Sequence, residues 1–558
     1  MFRRVHENQP SNSRPGLSEK NRRSRGSLAN RKIAIGAIAA LALVGSGCSA
    51  SDTDEQHHSD PNKSQTAYTS QPSPTPTVFK QKYLGDADGE AAIVEVNTAK
   101  QKRKFRASNV GISFEATDLA DQRLDPAKSN LDDLLSSLGS PALRFGGNGL
   151  DRRTFWTSTG EKAEESQQTV VTPGDLRRLK KLVDDTGSKV TIGIPLGNYD
   201  PKRGADMAAH AVEILDDSLV GLAIGNEPNG YTVKDVPDGA VRDKGWTKDK
   251  YVQQLEAYAK VIHEKEPDAP IIGPDVYDGA WMDAFAGSNV KNKAAISQHW
   301  YQLYECDSGK IPGRGPQAEN LINPLAKEAA KKNLSIGKAK ADAADLPLWL
   351  EETGPTSCPG TNDTSLTNAS ALWAVDYSLN AARLGVERMA MHSMLGACRG
   401  GAPMSPICDP ADKGERSRSF AVRPNMLGMR LLVPSIGGAF TKTAVEGGGN
   451  MSAYTVSKND GTTLVTTVIN ANDAPDVGRN PTTLKMPDGF AVDKVSQIHG
   501  PSNNAKRSTR VIPANPLPQE VPFKGTNREI KTSSGPNGDE LNIDLAGSSA
   551  TVFIMSKS

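Results

Sequence analysis

The chain has 558 residues, and its 66 basic and 65 acidic side chains nearly cancel, leaving a formal net charge of +1. This balance excludes a function that rests on bulk charge alone, so neither nucleic acid nor an acidic polymer is expected as a partner. The length is sufficient for a large core and two or more domains. The 51 glycines and 5% aromatic content are typical of a loop-rich α/β protein rather than a membrane protein.

Residues 1–48 are predicted to be an export signal. A polar, basic stretch leads into the apolar run Ile33–Val44, which is too short for a permanent membrane-spanning helix. Gly45-Ser-Gly-Cys48 follows and resembles a bacterial lipobox, in which Cys48 would be lipidated. A lipobox usually has Leu where Gly45 stands, so an ordinary signal peptide is the alternative. Both interpretations predict an exported protein, held at the cell membrane by lipid alone or secreted.

Two short regions precede the main domain. Residues 49–80 are rich in Ser, Thr and Pro and have no hydrophobic periodicity, which predicts a disordered tether. Residues 81–102 contain a single predicted strand, Glu90–Asn97.

Residues 103–435 alternate short apolar runs with amphipathic helical stretches. Eight such runs predict a (β/α)₈ TIM barrel, with a doubly wound open sheet as the rival. The barrel is favoured because catalytic-type side chains follow nearly every run, as barrel active sites require. The predicted strands are Val110–Glu115, Pro141–Gly147, Val190–Pro195, Leu219–Glu227, Pro270–Asp275, Ala294–Tyr301, Pro347–Glu352 and Arg388–Ser393.

Residues 436–558 have a different texture. β-rich segments such as Thr463–Ile469 and Ala550–Met555 are separated by Gly, Pro and Asn turns, and no convincing helix intervenes. This pattern predicts an antiparallel β-sandwich domain at the C-terminal end of the chain.

Four cysteines follow Cys48 in the sequence, and in an oxidising compartment they predict two disulfides. Three pairings are possible, and the spacing matches no zinc site, so a metal is the weaker interpretation. They are Cys306, Cys358, Cys398 and Cys408.

Two carboxylates are the candidate catalytic groups. The apolar run from Leu219 ends abruptly at Glu227, because Pro228 lacks an N–H and disfavours a helical residue before it. The predicted seventh strand ends in Glu351 and Glu352, and strand alternation lets only one of them face the barrel mouth. Two carboxyls ~5–5.5 Å apart across a sugar are the arrangement for retaining glycoside hydrolysis.

An ordered set of motifs resembles family 79 glycoside hydrolases, the heparanase and β-glucuronidase group. The resemblance runs from about Phe105 to the C-terminus. It implies a retaining barrel enzyme whose C-terminal β-domain takes one strand from before the barrel, which accounts for Glu90–Asn97. The motifs are Arg144–Asp151, Gly225–Asn229, Gly273–Val276, His299–Tyr301 and Trp349–Thr353.

The resemblance assigns roles to individual residues. It implies that Glu352, which directly precedes Thr353, is the nucleophile and that Glu227 is the acid/base. Alternatives stay open for four residues: His299 as a packed strand-end histidine, Arg144 as a structural ion pair, and Asp151 and Asn148 as caps of the next helix. The implied substrate contacts are Asn226 on the sugar 2-hydroxyl, Tyr301 as a donor to the nucleophile, His299 in the same subsite, Arg144 below the nucleophile, and Asn148 and Asp151 on sugar hydroxyls.

The loop Gly354–Gly360 is the expected contact for a uronic acid carboxylate. Gly354 and Ser357 offer a backbone N–H and a hydroxyl, but the tyrosine found in this loop of the family is missing and prolines intrude. We hypothesise that a Cys306–Cys358 disulfide clamps this loop, since the two cysteines follow neighbouring barrel strands. A Cys398–Cys408 disulfide would then close the eighth loop.

These observations predict a monomeric retaining β-glucuronidase, exo- or endo-acting, that cleaves a glucuronide-containing carbohydrate or glycoconjugate and needs no cofactor or metal. Another retaining glycosidase of the same clan, such as a xylosidase, arabinofuranosidase or glucosidase, is one alternative. A non-catalytic carbohydrate-binding surface lipoprotein is the other. The near-neutral charge gives no indication of a basic cleft for sulfated chains.

Overall fold

A computed structural model describes residues 87–163, 165–234, 239–306, 311–411, 416–506, 519–522 and 540–557. The predicted export signal, Cys48 and the tether of residues 49–80 lie outside these ranges and stay predictions. Among the described residues, no helix combines the length and the apolar character needed to cross a membrane.

Eight parallel strands form a closed barrel in which each pairs with the next along the chain and β8 pairs with β1. The predicted barrel is therefore confirmed over the open sheet. Strands β1 and β2 are buried along their whole length, as expected for strands covered on both faces. The barrel strands are β1 Gly111–Glu115, β2 Ala142–Gly146, β3 Lys189–Ile194, β4 Leu219–Ile224, β5 Ile271–Val276, β6 Lys293–Leu303, β7 Leu348–Thr356 and β8 Val386–Ser393.

A main helix follows each barrel strand, and sequence signals set the helix ends. Helix α2 begins with Pro173 and is capped by reciprocal bonds between Thr172 and Asp175, and Gly187 ends it in the left-handed conformation. The main helices are α1 Leu131–Ser136, α2 Pro173–Thr186, α3 Pro201–Leu215, α4 Lys248–Lys265, α5 Gly279–Ala286, α6 Pro324–Ala343, α7 Asn368–Leu384 and α8 Pro424–Leu431.

In the part of the chain that the structure describes, the C-terminal domain is a nine-stranded, mostly antiparallel sheet that includes one strand from before the barrel. This N-terminal strand, Ala92–Lys104, pairs antiparallel with β9 and parallel with β12. The predicted contribution of one early strand to the C-terminal domain is confirmed. The remaining strands are β9 Ala439–Gly447, β10 Met451–Lys458, β11 Thr463–Asn470, β12 Arg479–Lys485, β13 Phe490–His499, β14 Gln519–Pro522, β15 Glu540–Ala546 and β16 Ser549–Lys557.

Two predicted strand ends were wrong. Strand β4 ends at Ile224 rather than Glu227, because Gly225 adopts φ +82°, a left-handed conformation that stops the strand. Strand β7 continues past Glu352 to Thr356, where it pairs with Leu303 of β6. The loop that follows Glu352 in the sequence is thus partly strand.

Both hypothesised disulfides are present. Cys306 pairs with Cys358 at a Cα separation of 5.2 Å, and Cys398 pairs with Cys408 at 5.0 Å. The first joins the segments after β6 and β7, and the second closes a short loop after β8. Both therefore fix loops at the carboxyl-terminal end of the barrel.

Candidate active site

Glu227 lies in a tight turn just beyond β4. It precedes a short 3₁₀ turn, Pro228–Gly230, and adopts a left-handed conformation with φ +47°. Its backbone N–H donates to the carbonyl of Asp275. Asp275, at the end of β5, also adopts a left-handed conformation, with φ +57°. Such conformations are unfavourable for residues with a side chain and persist only where the surrounding structure holds them. The carboxylate keeps contact with solvent, with its side chain 29% exposed.

A β-bulge on β7 separates the two adjacent glutamates. Leu350 pairs with Gln298 and Glu352 pairs with His299, so Glu351 is an extra residue in β7. The bulge breaks the strand alternation from which only one of the two glutamates was expected to face the barrel mouth. Both carboxylates consequently contact residues across the barrel, at different levels.

Glu351 belongs to the packed interior of the barrel. It is fully buried, accepts a hydrogen bond from Thr191 on β3, and forms an ion pair with Arg388 on β8 at 2.8 Å. Every contact of its carboxylate is thus with another buried barrel residue.

Glu352 lies at the barrel mouth among donors and cations. Arg144 donates to its Oε2 at 2.8 Å, and the Tyr301 hydroxyl donates to its Oε1 at 2.9 Å. Burial raises the pKa of this carboxyl, but the positive charges of His392, His299 and Arg144 outweigh burial and lower the pKa to about 2. Glu352 is therefore an ionised carboxylate at neutral pH, as a nucleophile must be.

Arg144 on β2 is the hub of the site. In addition to Glu352, it donates to Ser113 at 2.9 Å, to the Asn226 Oδ1 at 2.7 Å and to Asp275 at 2.8 Å. Burial alone would lower the pKa of Arg144. The negative charges of Asp275 and Glu352 raise it by more than burial lowers it, so the net shift of the pKa is upward. The two predicted roles, cation below Glu352 and structural ion pair, are both filled by one side chain.

His299 on β6 lies between the two candidate catalytic carboxylates. Its Nδ1 is 3.1 Å from the Glu227 Oε1 and 3.9 Å from the Glu352 Oε2, and its Nε2 is 3.6 Å from Asp275. Burial lowers its pKa, but Glu352, Asp275 and Glu227 together raise it to about 9. His299 is thus a buried cation in contact with both carboxylates.

The two carboxylates are close enough to act on one sugar. One oxygen of Glu227, one of Glu352 and a ring nitrogen of His299 all lie within 4.8 Å of one another. Three such ligands can also hold a metal ion, but Arg144 already pairs with Glu352 and His299 with Glu227. The spacing is near that of retaining glycosidases and shorter than the ~6.5–9.5 Å of inverting ones.

Asn226, Asp151 and Asn148 surround this centre in different ways. Asn226 is buried, and its amide nitrogen has no hydrogen-bond partner among the described residues, so it is free to donate to a sugar hydroxyl. Asp151 accepts from the backbone N–H groups of Asn226, Leu196 and Gly197 at 2.7–2.9 Å. Its carboxylate therefore braces the segments after β3 and β4, a role that the sequence did not predict. Asn148 is exposed beside the mouth.

Gly354 and Ser357 occupy the end of β7 and the residue after it. A Cβ on Gly354 would lie 2.9 Å from the Tyr301 ring and 2.8 Å from the Met404 Cβ, so glycine is needed for Tyr301 to approach. The Ser357 N–H donates to the Leu303 carbonyl at 3.0 Å. The Ser357 backbone N–H is thus taken, and only its half-buried side chain is available for a ligand.

Sequence reasoning missed three charged residues of the site, which are Asp275, His392 and Glu115. Asp275 pairs with Arg144, and the charges of Arg144 and His299 outweigh its burial and lower its pKa. His392 on β8 is buried with its Nε2 3.4 Å from Glu115 on β1. Each residue lies at or near the carboxyl end of a predicted strand, which was the available signal. Asp275 also stood within the Gly273–Val276 motif.

No protein-family model matches the chain. A β-glucuronidase from Neurospora crassa is 29% identical over 190 residues, which are 31% of this chain and 33% of that enzyme. The chain thus spans about a third of the length of the curated relative that it matches.

Several solved glycoside hydrolases share the fold. A 4-O-α-L-rhamnosyl-β-D-glucuronidase from Fusarium oxysporum 12S, in complex with Rha-GlcA, matches with a TM-score of 0.60 and 15% identity over 83% of this chain and 99% of that one. An α-L-arabinofuranosidase from Thermotoga maritima matches with a TM-score of 0.58 and 14% identity over 84% and 100%. A GH39 enzyme from Xanthomonas axonopodis pv. citri gives 0.54 and 12% over 84% and 97%. At these identities the likeness concerns the architecture, a TIM barrel with a C-terminal β-domain.

Proposed function

We propose that the protein is a retaining glycoside hydrolase of the family 79 type that cleaves β-glucuronides, with Glu352 as nucleophile and Glu227 as acid/base. The observation that carries this proposal is the pair of carboxylates within 4.8 Å of each other, one buried and ionised and the other open to solvent. Two carboxyls in such different environments suit the two different roles that retaining hydrolysis requires.

In the first step, a Glu352 oxygen attacks the anomeric carbon and forms an ester bond to the sugar. The glycosidic C–O bond breaks, and its oxygen takes the proton of Glu227 as the aglycone leaves. Tyr301 and Arg144 hold Glu352 from two sides at 2.9 and 2.8 Å, so the attacking carboxylate is oriented before the sugar arrives. The free amide nitrogen of Asn226 donates to the sugar 2-hydroxyl as positive charge develops at the anomeric carbon.

In the second step, Glu227 acts as a base. It takes a proton from a water molecule whose oxygen attacks the anomeric carbon, and the ester bond to Glu352 breaks. Two inversions give net retention of configuration, and both carboxyls return to their starting states. Charged His299, in contact with both carboxylates, stabilises the negative charge as it moves between them.

The glucuronide specificity has two supports. The resemblance of the motifs is to the heparanase and β-glucuronidase group, and the curated relative is a β-glucuronidase. Arabinofuranosidase is the alternative, because several solved arabinofuranosidases share the fold. The Gly354–Gly360 loop departs from the family pattern. The contact with the carboxylate of the uronate is therefore the part of the site that differs from the family.

A panel of aryl glycosides tests the proposal. We expect the wild-type protein to release the aryl group from a β-glucuronide and not from the matching β-xyloside, β-glucoside or α-L-arabinofuranoside. Glu352→Gln should lower kcat by roughly a thousandfold or more, because no other group can form the ester. Wild-type activity in this variant would overturn the nucleophile assignment.

Glu227→Ala separates the two roles. This variant should retain partial activity on substrates with an acidic phenol as leaving group, and azide should restore turnover by giving a β-glycosyl azide. An α-azide product would contradict double displacement. Binding of carbohydrate without turnover of any glycoside would instead support the non-catalytic alternative.

We also propose that the protein is exported and acts as a monomer, lipid-anchored through Cys48 or secreted. The apolar run Ile33–Val44 and the Gly45–Cys48 motif support export. Metabolic labelling with a fatty acid, compared between wild type and Cys48→Ser, distinguishes the anchored from the secreted form.

A further inference from the structure

Two exposed tyrosines directly follow the two barrel strands that come after β4. Tyr277 directly follows β5 and is 57% exposed, and Tyr304 directly follows β6 and is 39% exposed. Strands β5 and β6 are neighbours in the barrel, and β5 is next to β4, which the Glu227 turn follows. The carboxyl ends of parallel barrel strands form one face, so both rings lie on the face that holds Glu227.

Tyr277 is coupled directly to the proposed acid/base. The Asp275 carbonyl, two residues before Tyr277, accepts the Glu227 N–H at 3.1 Å, which ties the segment after β5 to the Glu227 turn. Burial of part of the hydroxyl and the negative charge of Glu227 raise the pKa of Tyr277. The ring thus stands beside the carboxyl that protonates the leaving oxygen.

Tyr304 is held in a fixed position. The guanidinium carbon of Arg314 lies 4.2 Å from the ring centre of Trp300 and 4.2 Å from that of Tyr304, and so is sandwiched between them. Arg314 in turn donates to the carbonyls of Tyr301 and Gln302 at 2.7 and 2.5 Å. The Cys306–Cys358 disulfide closes the same segment two residues later. A partner that stacks on Tyr304 therefore meets a ring that is already ordered.

The polar side chain of Asn229 lies beside Tyr277. Asn229, two residues after Glu227, has a buried Oδ1 with no hydrogen-bond partner in the described part of the chain. Aromatic faces combined with a free hydrogen-bond acceptor suit a ring that has both an apolar face and hydroxyl groups. A pyranose fits this description, whereas a methyl or other small alkyl aglycone does not.

We propose that Tyr277 and Tyr304 form an aglycone subsite for a second sugar ring, with Asn229 accepting a hydroxyl from that ring. The natural substrate is then a saccharide, from which the glycone is released, rather than a glycoside of a small alcohol. This inference rests on the proposed hydrolase function and adds to it the chemical class of the leaving group. Both rings lie outside the glycone site, so they select the aglycone without taking part in bond cleavage.

The test compares two substrates that share one glycone. The first is a disaccharide with the glycone that the wild-type protein accepts, and the second is the methyl β-glycoside of that glycone. Tyr277→Ala and Tyr304→Ala should each lower kcat/KM for the disaccharide by about five- to tenfold, as expected for the loss of one stacking contact. Tyr304→Ala should change kcat/KM for the methyl glycoside by less than about twofold, and Tyr277→Ala should lower it by less than it lowers the value for the disaccharide. Tyr277→Phe keeps the ring but loses the hydroxyl that interacts with Asn229, so it should lose less with the disaccharide than Tyr277→Ala does.

Tyr199→Ala is the matched control, since this tyrosine is 44% exposed on the segment after β3 and packs against Tyr258 instead. An equal loss with both substrates, or the same disaccharide-specific loss in the control, would overturn the assignment to Tyr277 and Tyr304. No loss in either variant would overturn it as well. A disaccharide-specific loss with a glycone other than glucuronate would support the subsite and contradict only the proposed glycone.

Discussion

The adjacent residues Glu351 and Glu352 show how one backbone irregularity separates structure from chemistry. The bulge on β7 sends Glu351 to Arg388 and Thr191 inside the barrel and Glu352 to Arg144 and Tyr301 at the mouth. Arg388 has no other carboxylate partner among the described residues, whereas Arg144 also pairs with Asp275. Loss of the two carboxylates should therefore have opposite consequences.

Glu351→Gln should lower the free energy of unfolding by about 3 kcal/mol or more, because it leaves a buried guanidinium without its counter-charge. In the folded protein, kcat should stay within about threefold of wild type, since the side chain does not reach the substrate. Urea unfolding and initial rates at low temperature provide the two measurements.

Glu352→Gln is the matched variant, with the same change one residue later. It should cost less stability than Glu351→Gln, because Arg144 keeps Asp275, while abolishing turnover. A stable but inactive Glu351→Gln protein would contradict the assignment of this residue to the barrel interior.

The charge on His299 predicts how stability depends on pH. Its pKa rises from 6.5 to about 9 on folding, because Glu352, Asp275 and Glu227 outweigh the effect of burial, which lowers it. A raised pKa stabilises the fold fully below pH 6.5, and this stabilisation is lost as the pH rises through about 9. We expect the free energy of unfolding to fall by roughly 1–3 kcal/mol across this interval.

His299→Gln should flatten this alkaline slope when urea unfolding is measured at several pH values. His392 also has a raised pKa, so part of the slope should remain in the variant. A slope unchanged from wild type would show that His299 is neutral in the folded protein. The acidic side has the opposite sign, since the lowered pKa of Glu352 removes stability only as the pH falls towards about 2.

At the scale of elements, the end of β7 depends on a glycine that faces a neighbouring strand. Gly354 pairs with Tyr301 of β6, and a Cβ there would lie 2.9 Å from the Tyr301 ring. Gly354→Ala should push this ring away from Glu352, lowering kcat by about tenfold and stability by about 1–3 kcal/mol. Initial rates and thermal unfolding measure both effects.

Gly396→Ala is the control for backbone stiffening alone, because a Cβ at this exposed position after β8 would meet no atom within 4 Å. Its kcat and unfolding temperature should match wild type. If Gly354→Ala also matched wild type, the close approach of Tyr301 to β7 would be needed neither for kcat nor for stability.

The element scale also shows where sequence reasoning reached its limit. Hydrophobic periodicity located all eight barrel strands, because buried parallel strands are continuous apolar runs. The bulge at Glu351 and the left-handed turn at Glu227 left no such signal, since each is set by pairing with a distant strand. The choice of Glu352 rested on the family resemblance, and the strand alternation that was expected to let only one of the two glutamates face the mouth does not hold across the bulge.

The same limit applies to the charges of the site. Strand order placed Arg144, Glu227 and Glu352 on one face of the barrel, but nothing local indicates that Asp275 pairs with Arg144. The sequence left Asp151 open between a contact with sugar hydroxyls and a helix cap, and its carboxylate accepts three backbone N–H groups. Partners far apart in the sequence are fixed by the packed barrel and not by any short motif.

At the scale of the whole molecule, the C-terminal sheet is joined to the barrel by covalent and polar links. The N-terminal strand enters the sheet between β9 and β12 and leads directly into β1 of the barrel. Asp376 on α7 accepts hydrogen bonds from Ser452 at 2.6 Å and Tyr454 at 3.0 Å, both on β10. These links predict that the sheet and the barrel unfold together.

Val94 and the tryptophans provide the test of this coupling. Val94 is fully buried in the N-terminal strand, within the core of the sheet, so Val94→Ala should cost about 2 kcal/mol. All six tryptophans lie between residues 156 and 373, in the barrel region. Their fluorescence therefore reports on the barrel, while the substitution acts on the sheet.

We expect Val94→Ala to lower the urea midpoint seen by fluorescence as much as the midpoint seen by circular dichroism. Glu95→Ala, exposed on the same strand, should leave both unchanged. A fluorescence midpoint that stays at the wild-type value would show that the barrel holds its fold without the sheet.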